Sequence, residues 1–229
     1  MTDQPVAREE DDFRVKSAAR KRERMRARLL EATLAVCGER GPSAAIIEDV
    51  LRQAEVSRGT FYAHFDSLHE AICALGSMLA DEAVHIFKAM YADVADPVLR
   101  TAVGPQLVLT RAVIEPSWGR IIAQSEDFSS RSEFVEAIRH NYVEGRKSGA
   151  FRSVDVGAAV DLHIGALVRG AGQVQAKKRG RGTYVRDVAT MLLMAAGLPE
   201  QGAIDAVTWA AEDLRHRAPS VLPWWHDIG

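Results

Sequence analysis

From about residue 17 to near its end, this chain places apolar residues at helical spacing, and no convincing run of alternating strand residues interrupts them. That property restricts it to an all-α architecture. Punctuation then divides the helices. The first is expected from about Ala18 to Arg40, with Met25, Leu29, Ala32 and Val36 on one face and a stop at Gly41-Pro42. The second carries Ile47, Val50, Leu51 and Ala54, the i, i+3, i+4, i+7 stripe of an amphipathic helix. After a tight break at Glu55-Val56-Ser57, Ser57 is a good N-cap for a short third helix in which Phe61 and Phe65 pack inward. Ser67-Leu68-His69-Glu70 reads as a capping box, and the fourth helix continues through Leu75, Leu79, Ile86 and Met90. Further helices are expected at about 98–114, 117–127, 131–148, 154–176, 184–197 and 200–216. They are separated at Glu115-Pro116, Ser129-Ser130, Gly149, the Gly180–Gly182 loop and Gly197-Leu198-Pro199.

Charge is distributed unevenly. The formal net charge is only −2, yet residues 14–28 carry Arg14, Lys16, Arg20, Lys21, Arg22, Arg24, Arg26 and Arg28 against Glu23 alone. The acidic cluster Glu9, Glu10, Asp11 and Asp12 precedes them. Such a run is a solvated face or a phosphate-binding arm. Residues 1–16 are polar and charged with no apolar period, and are expected to be disordered.

Several classes of function find no support. Cys37 and Cys73, the two cysteines, lie within apolar helical patterns and are expected as reduced core residues. The seven histidines show no metal-ligand spacing, no HExxH or CxxC occurs, and no nucleophile elbow or motif-placed carboxylate pair is present. No catalytic residue, metal ligand or cofactor is therefore assigned. The polar N-terminus carries no signal peptide, and the most apolar stretch, 154–176, is broken by Asp155, Asp161, His163 and Arg169. A cytoplasmic protein without membrane association is expected.

Helix 2, a short turn and a short helix 3 form the helix-turn-helix arrangement, whose second helix enters the DNA major groove. With Phe61 and Phe65 facing the core, Ser57, Arg58, Gly59, Thr60, Tyr62 and His64 lie on the other faces. Arg58 suits guanine edges, Thr60 a base or thymine methyl, and Gly59 close backbone approach. Tyr62 and His64 suit phosphate oxygens, aided by the positive helix N-terminus. Arg22 and Arg26 of the basic arm supply the sequence-blind, salt-dependent part.

Residues 29–72, and above all the run Val56-Ser57-Arg58-Gly59-Thr60-Phe61-Tyr62-Ala63-His64-Phe65, resemble the DNA-binding domain of the tetracycline-repressor (TetR) family of bacterial regulators. The resemblance implies an N-terminal three-helix DNA-binding domain at 17–66. It further implies a larger helical ligand-binding and dimerisation domain at 67–216, followed by a Trp-rich tail at 217–229. Three positions depart from the family pattern. Glu55 stands where a turn glycine is usual, Ala45 and Ile46 where phosphate-contacting threonines start helix 2, and Leu68, beside His69, where a lysine opens helix 4. Two phosphate contacts of the family thus have no counterpart, and the basic arm is the feature able to replace them.

The resemblance implies a homodimer on a palindromic operator, repressing transcription until a small-molecule effector binds. Segments 154–176 and 184–197 are the expected dimer contact, with Gly165, Ala166, Gly170, Ala171 and Gly172 permitting close approach. For the effector pocket the candidates are Phe87, Met90, Trp118, Phe128, Phe134, Tyr142 and His163, each of which plain core packing would equally explain. Two alternatives stay open: a protein-interaction factor with weak DNA specificity, and a small-molecule-binding protein with a vestigial helix-turn-helix.

Overall fold

The computed structural model describes residues 5–125, 132–152 and 155–229, with side chains from Val15 onward, and these residues form helices, turns and loops without strands. The chain separates into two units, Met1–Ala71 and Ile72–Gly229.

In the first unit, α1 (Pro5–Arg40) is followed by α2 (Ile47–Ala54) and α3 (Arg58–Tyr62). Sequence reading expected disorder up to residue 16, whereas α1 begins at Pro5. The missing apolar period misled, because helix continuation needs only propensity. Pro5 occupies the first helical position, and no further Pro or Gly occurs before Gly38. The helix ends where expected, at Gly41 with φ 79°. Leu29, Ala32, Val36 and Cys37 of α1 form the core with Val50 and Ala54 of α2 and with Phe61 and Phe65, all at 5% exposure or less. Phe65 lies just past the end of α3, but its N–H still donates to the Phe61 carbonyl at 3.0 Å, so the i, i+4 pairing survives. The two rings sit 5.7 Å apart.

α4 (Leu68–Met90) begins with the expected cap: Ser67 Oγ accepts from Glu70 N at 3.0 Å, and Glu70 Oε2 accepts from Asp66 N. The second unit continues with α5 (Pro97–Ile114), α6 (Pro116–Ala123), α7 (Glu133–Ser148), α8 (Val156–Ala176), α9 (Arg181–Ala195) and α10 (Glu200–Val221). α5 is its central helix, buried almost continuously from Thr101 to Ala112 and packed against α6, α7, α8, α9 and α10. Asp96 caps it by accepting from Val98 N at 2.8 Å. Pro105 lies in its interior and has no N–H, so the Thr101 carbonyl loses its helical donor.

α10 passes through Pro219 to Val221, beyond the expected end at 216. Arg217 anchors this last turn, reaching Asp93 at 2.9 Å, Asp213 at 3.0 Å and the Met90 carbonyl at 3.0 Å. The tail then folds over the second unit, with Trp224 beneath Arg111, Arg215 bound to Asp227 and Arg186 bound to the Gly229 carbonyl.

Of the five small residues expected to let a neighbour approach α8, Gly170 and Ala171 are buried and Gly172 is half-buried. A Cβ on Gly170 would lie 3.1 Å from Leu109, and one on Gly172 would lie 3.5 Å from Ala123. They serve packing within the unit. Gly165 is exposed, and its Cβ position is open.

Candidate nucleic-acid interface and effector cavity

The segment 57–65 divides into two faces. Phe61 and Phe65 point inward at 0% and 1% exposure, while Arg58, Gly59 and Tyr62 are exposed and Thr60 is half-buried. Ser57 starts α3 as expected: its Oγ accepts from Thr60 N at 3.2 Å and pairs with Thr60 Oγ1 at 2.9 Å. Arg58 is held by Glu48 of α2, a partner the sequence analysis did not name. The pair is exposed on both sides, so Arg58 can exchange its carboxylate for another acceptor at small cost. Tyr62 stands edge-on to Phe61 with 48% of its surface open. His64 is half-buried, with Nδ1 buried and unpartnered.

The two arm residues behave differently. Arg22 is exposed, but the Arg26 guanidinium lies over the Phe65 ring at 4.7 Å, giving it a packing role as well. Arg20, Lys21 and Arg24 are exposed alongside Arg22. At the turn, Glu55 is left-handed at φ 51°, the conformation that glycine accepts freely, and its carboxylate meets Arg28 at 3.1 Å. α2 starts without a side-chain cap at Ile46, which is half exposed. A second unpredicted residue, Asp49, is a 6%-exposed acid that joins Arg40 of α1 at 2.8 Å and Arg52 at 3.2 Å. Its signal in the sequence is an acid adjoining the apolar stripe of a short helix.

The second unit contains a small, mostly apolar cavity of about 50 Å³ that opens toward the surface. Phe87, Phe134 and His163 of the expected pocket residues line it. Tyr142 supports it from behind, 3.2 Å from His163 Nδ1. Trp118 lines a smaller neighbouring hollow that shares Phe134 and Leu167. Met90 is buried and lines neither, so core packing is its role; Phe128 lies outside the described residues. Burial pushes the His163 imidazole down to about 4 and the Tyr142 phenol up to about 12, so both are neutral at pH 7.

Sequence reasoning missed the polar part of this cavity. Arg100 and Thr101 of α5 and Asn141 of α7 line it beside His163 of α8. Thr101 is 2% exposed, and its Oγ1 has no hydrogen-bond partner. No motif joins residues so far apart; Pro105, one turn after Thr101, was the only local hint.

Among the described residues there is no grouping of His, Cys, Asp and Glu able to hold a metal ion, and no helix is long and apolar enough to cross a membrane.

These features define a two-part helical architecture whose N-terminal part is a helix-turn-helix. Residues 29–68 match the model for bacterial regulatory proteins of the tetR family. Similar solved structures include RolR in complex with its ligand resorcinol, with a TM-score of 0.71 and 21% identity, covering 83% of this chain and 96% of that one. A TetR-family transcriptional regulator from Pectobacterium atrosepticum has a TM-score of 0.57 and 21% identity, covering 76% and 93%. The fatty acid degradation regulator FadR from Bacillus halodurans has a TM-score of 0.54 and 16% identity, covering 73% and 94%. No curated protein matches the chain. Residues 29–68 thus match the DNA-binding model of the tetR family, and the chain shares the all-helical fold of these solved structures.

Proposed function

We propose that this chain is a sequence-specific transcriptional regulator, a repressor that occupies a palindromic operator as a homodimer and leaves it when a small molecule fills the second-unit cavity. The observation that carries the reading is the two-faced segment 57–65. Its aromatic side anchors the domain core, while Arg58, Thr60 and Tyr62 remain on the side open to a partner. A short helix so presented suits major-groove readout, with exposed Arg20, Lys21, Arg22 and Arg24 available to phosphates. Arg26, engaged with Phe65, is assigned a smaller share, and His64 contributes through Nε2.

One recognition helix spans only a few base pairs, so a two-fold pair set about 34–36 Å apart is the economical route to specificity. Leu162 of α8 and Met191 and Met194 of α9 are exposed at 53%, 66% and 41%, and with Gly165 they suit the contact with a second copy. A ligand that favours one conformation of the second unit would change the spacing of the pair and so its DNA affinity. Such a protein works in the cytoplasm, without enzymatic activity of its own.

The test is selection of bound fragments from sheared genomic DNA of the source organism at near-physiological salt, comparing the wild type with Tyr62→Ala. Enrichment of one inverted repeat by the wild type, much reduced in the variant, supports the reading. Equal enrichment by both, or no enriched motif, rejects it in favour of a protein-interaction or ligand-binding role.

A further inference from the structure

Resting on the reading of the cavity as an effector site, we infer that its ligand is a small organic acid: a carboxylate on an apolar, single-ring body. The walls set the body. Val84, Phe87, Val108, Phe134 and Leu167 are among the apolar residues that make up most of the lining, and a free volume of about 50 Å³ keeps that body small.

The polar groups set the head. Arg100 forms no ion pair with any described residue, and its Nε is buried without a hydrogen-bond partner. The two acids of an adjoining hollow are already matched. Glu133 is held by Lys88 at 2.8 Å and His85 at 3.2 Å, and Glu136 by Arg139 at 3.4 Å. That hollow shares Phe87, Arg100 and Asn141 with the cavity. A guanidinium left over beside an apolar wall calls for an anion, and a carboxylate fits its planar fork.

The neighbouring groups also donate. Tyr142 and His163 Nδ1 pair at 3.2 Å, and in the tautomer where the Tyr142 hydroxyl donates, the neutral ring carries its proton on Nε2 toward the cavity. The Thr101 hydroxyl is a further donor without an acceptor. Arg100, Thr101 and His163 thus offer three donors from α5 and α8 to one cavity. An alcohol or a neutral ring would satisfy fewer of them and leave the cation unmatched.

The experiment is titration calorimetry on the full chain with benzoate, its uncharged isostere benzamide, and resorcinol. His163 ring signals in NMR report whether a probe enters this cavity. Benzoate is expected to bind roughly 10- to 100-fold more tightly than benzamide, the range of a hydrogen bond to a charged group. Arg100→Met should remove that preference while leaving benzamide unchanged, and Arg100→Lys should restore part of it. If Arg100→Met does not fold, Thr101→Val serves, with a roughly threefold to tenfold loss for benzoate. Equal affinity for benzoate and benzamide, tighter resorcinol binding, or a preference that survives Arg100→Met overturns the organic-acid inference and leaves the effector reading standing. Failure of all three probes to move the His163 signals overturns both.

Discussion

The helix-turn-helix and the cavity handle polar side chains in opposite ways. Around α3, several polar residues are answered from nearby, Ser57 by Thr60, Arg58 by Glu48 and Ser67 by Glu70, with the buried His64 Nδ1 the exception. In the cavity, Arg100, Thr101 and His163 come from two helices far apart in the chain, and the first two keep buried atoms without partners. The first region is a largely local motif whose outer face is the one proposed to read DNA. The second is held together by apolar packing and leaves polar groups for an incoming molecule. Local satisfaction suits the proposed reading head, and incomplete satisfaction suits the proposed receptor.

The comparison can be broken most forcefully at Phe61. Its side chain is fully buried, so Phe61→Ala should destabilise the first unit by about 3–5 kcal/mol. Hydrogen exchange should accelerate over residues 29–65 and remain unchanged around α5 and α8. Equal acceleration in both units would mean that they do not fold independently.

Asp49 tests whether the first unit depends on local ion pairing. Removing this buried carboxylate in Asp49→Ala should cost about 2–3 kcal/mol, because Arg40 and Arg52 lose their shared partner at the α1–α2 junction. A loss below about 0.5 kcal/mol in urea unfolding would assign the junction to packing alone.

In the second unit the sharper probe is pH. The folded His163 pKa lies below its unfolded value, about 4 against 6.5, so the unfolded state binds the proton more strongly. Its contribution is present above pH 6.5 and is lost as pH falls toward 4. This group alone should lower stability by roughly 2 kcal/mol between pH 7 and pH 5. His163→Phe should flatten that part of the stability profile. An unchanged slope would place the acid sensitivity elsewhere.

The smallest effect is at the turn. Glu55→Gly relieves a left-handed residue and gives up an exposed ion pair with Arg28, so a net gain of about 0.5–1 kcal/mol is expected. A loss in thermal or urea unfolding would show that the Glu55–Arg28 contact outweighs backbone strain.

The legibility of each part follows from these same distances. The Ser57 cap, the Phe61–Phe65 pair, the Gly41 stop and the Ser67–Glu70 cap were all readable, because each is set by residues within about one helical turn. Glu48 and Asp49 were not, since an ion pair across the α1–α2–α3 junction has no fixed spacing. The start of α1 was misread because disorder was inferred from polarity alone, whereas an uninterrupted series of good helix formers extends a helix already begun.

Phe87, Phe134 and His163 were chosen as pocket residues by size and character, and the structure places them on one cavity. The same criteria also admitted Met90, which is core. The glycines of α8 show the limit most clearly: Gly165 and Gly170 look alike in sequence, yet one is open and the other lies against Leu109.

By itself the sequence determined an all-helical chain, the placement of most of its helices and a helix-turn-helix with its aromatic pair inward and its polar face outward. Periodicity, capping and turn chemistry act over a few residues and are written directly into residue order. Only the tertiary structure decided which polar groups share a cavity, which small residues serve internal packing and which cation lacks a counter-ion. Those outcomes depend on how α5, α7 and α8 meet in space, and no local spacing encodes the meeting of residues more than twenty positions apart.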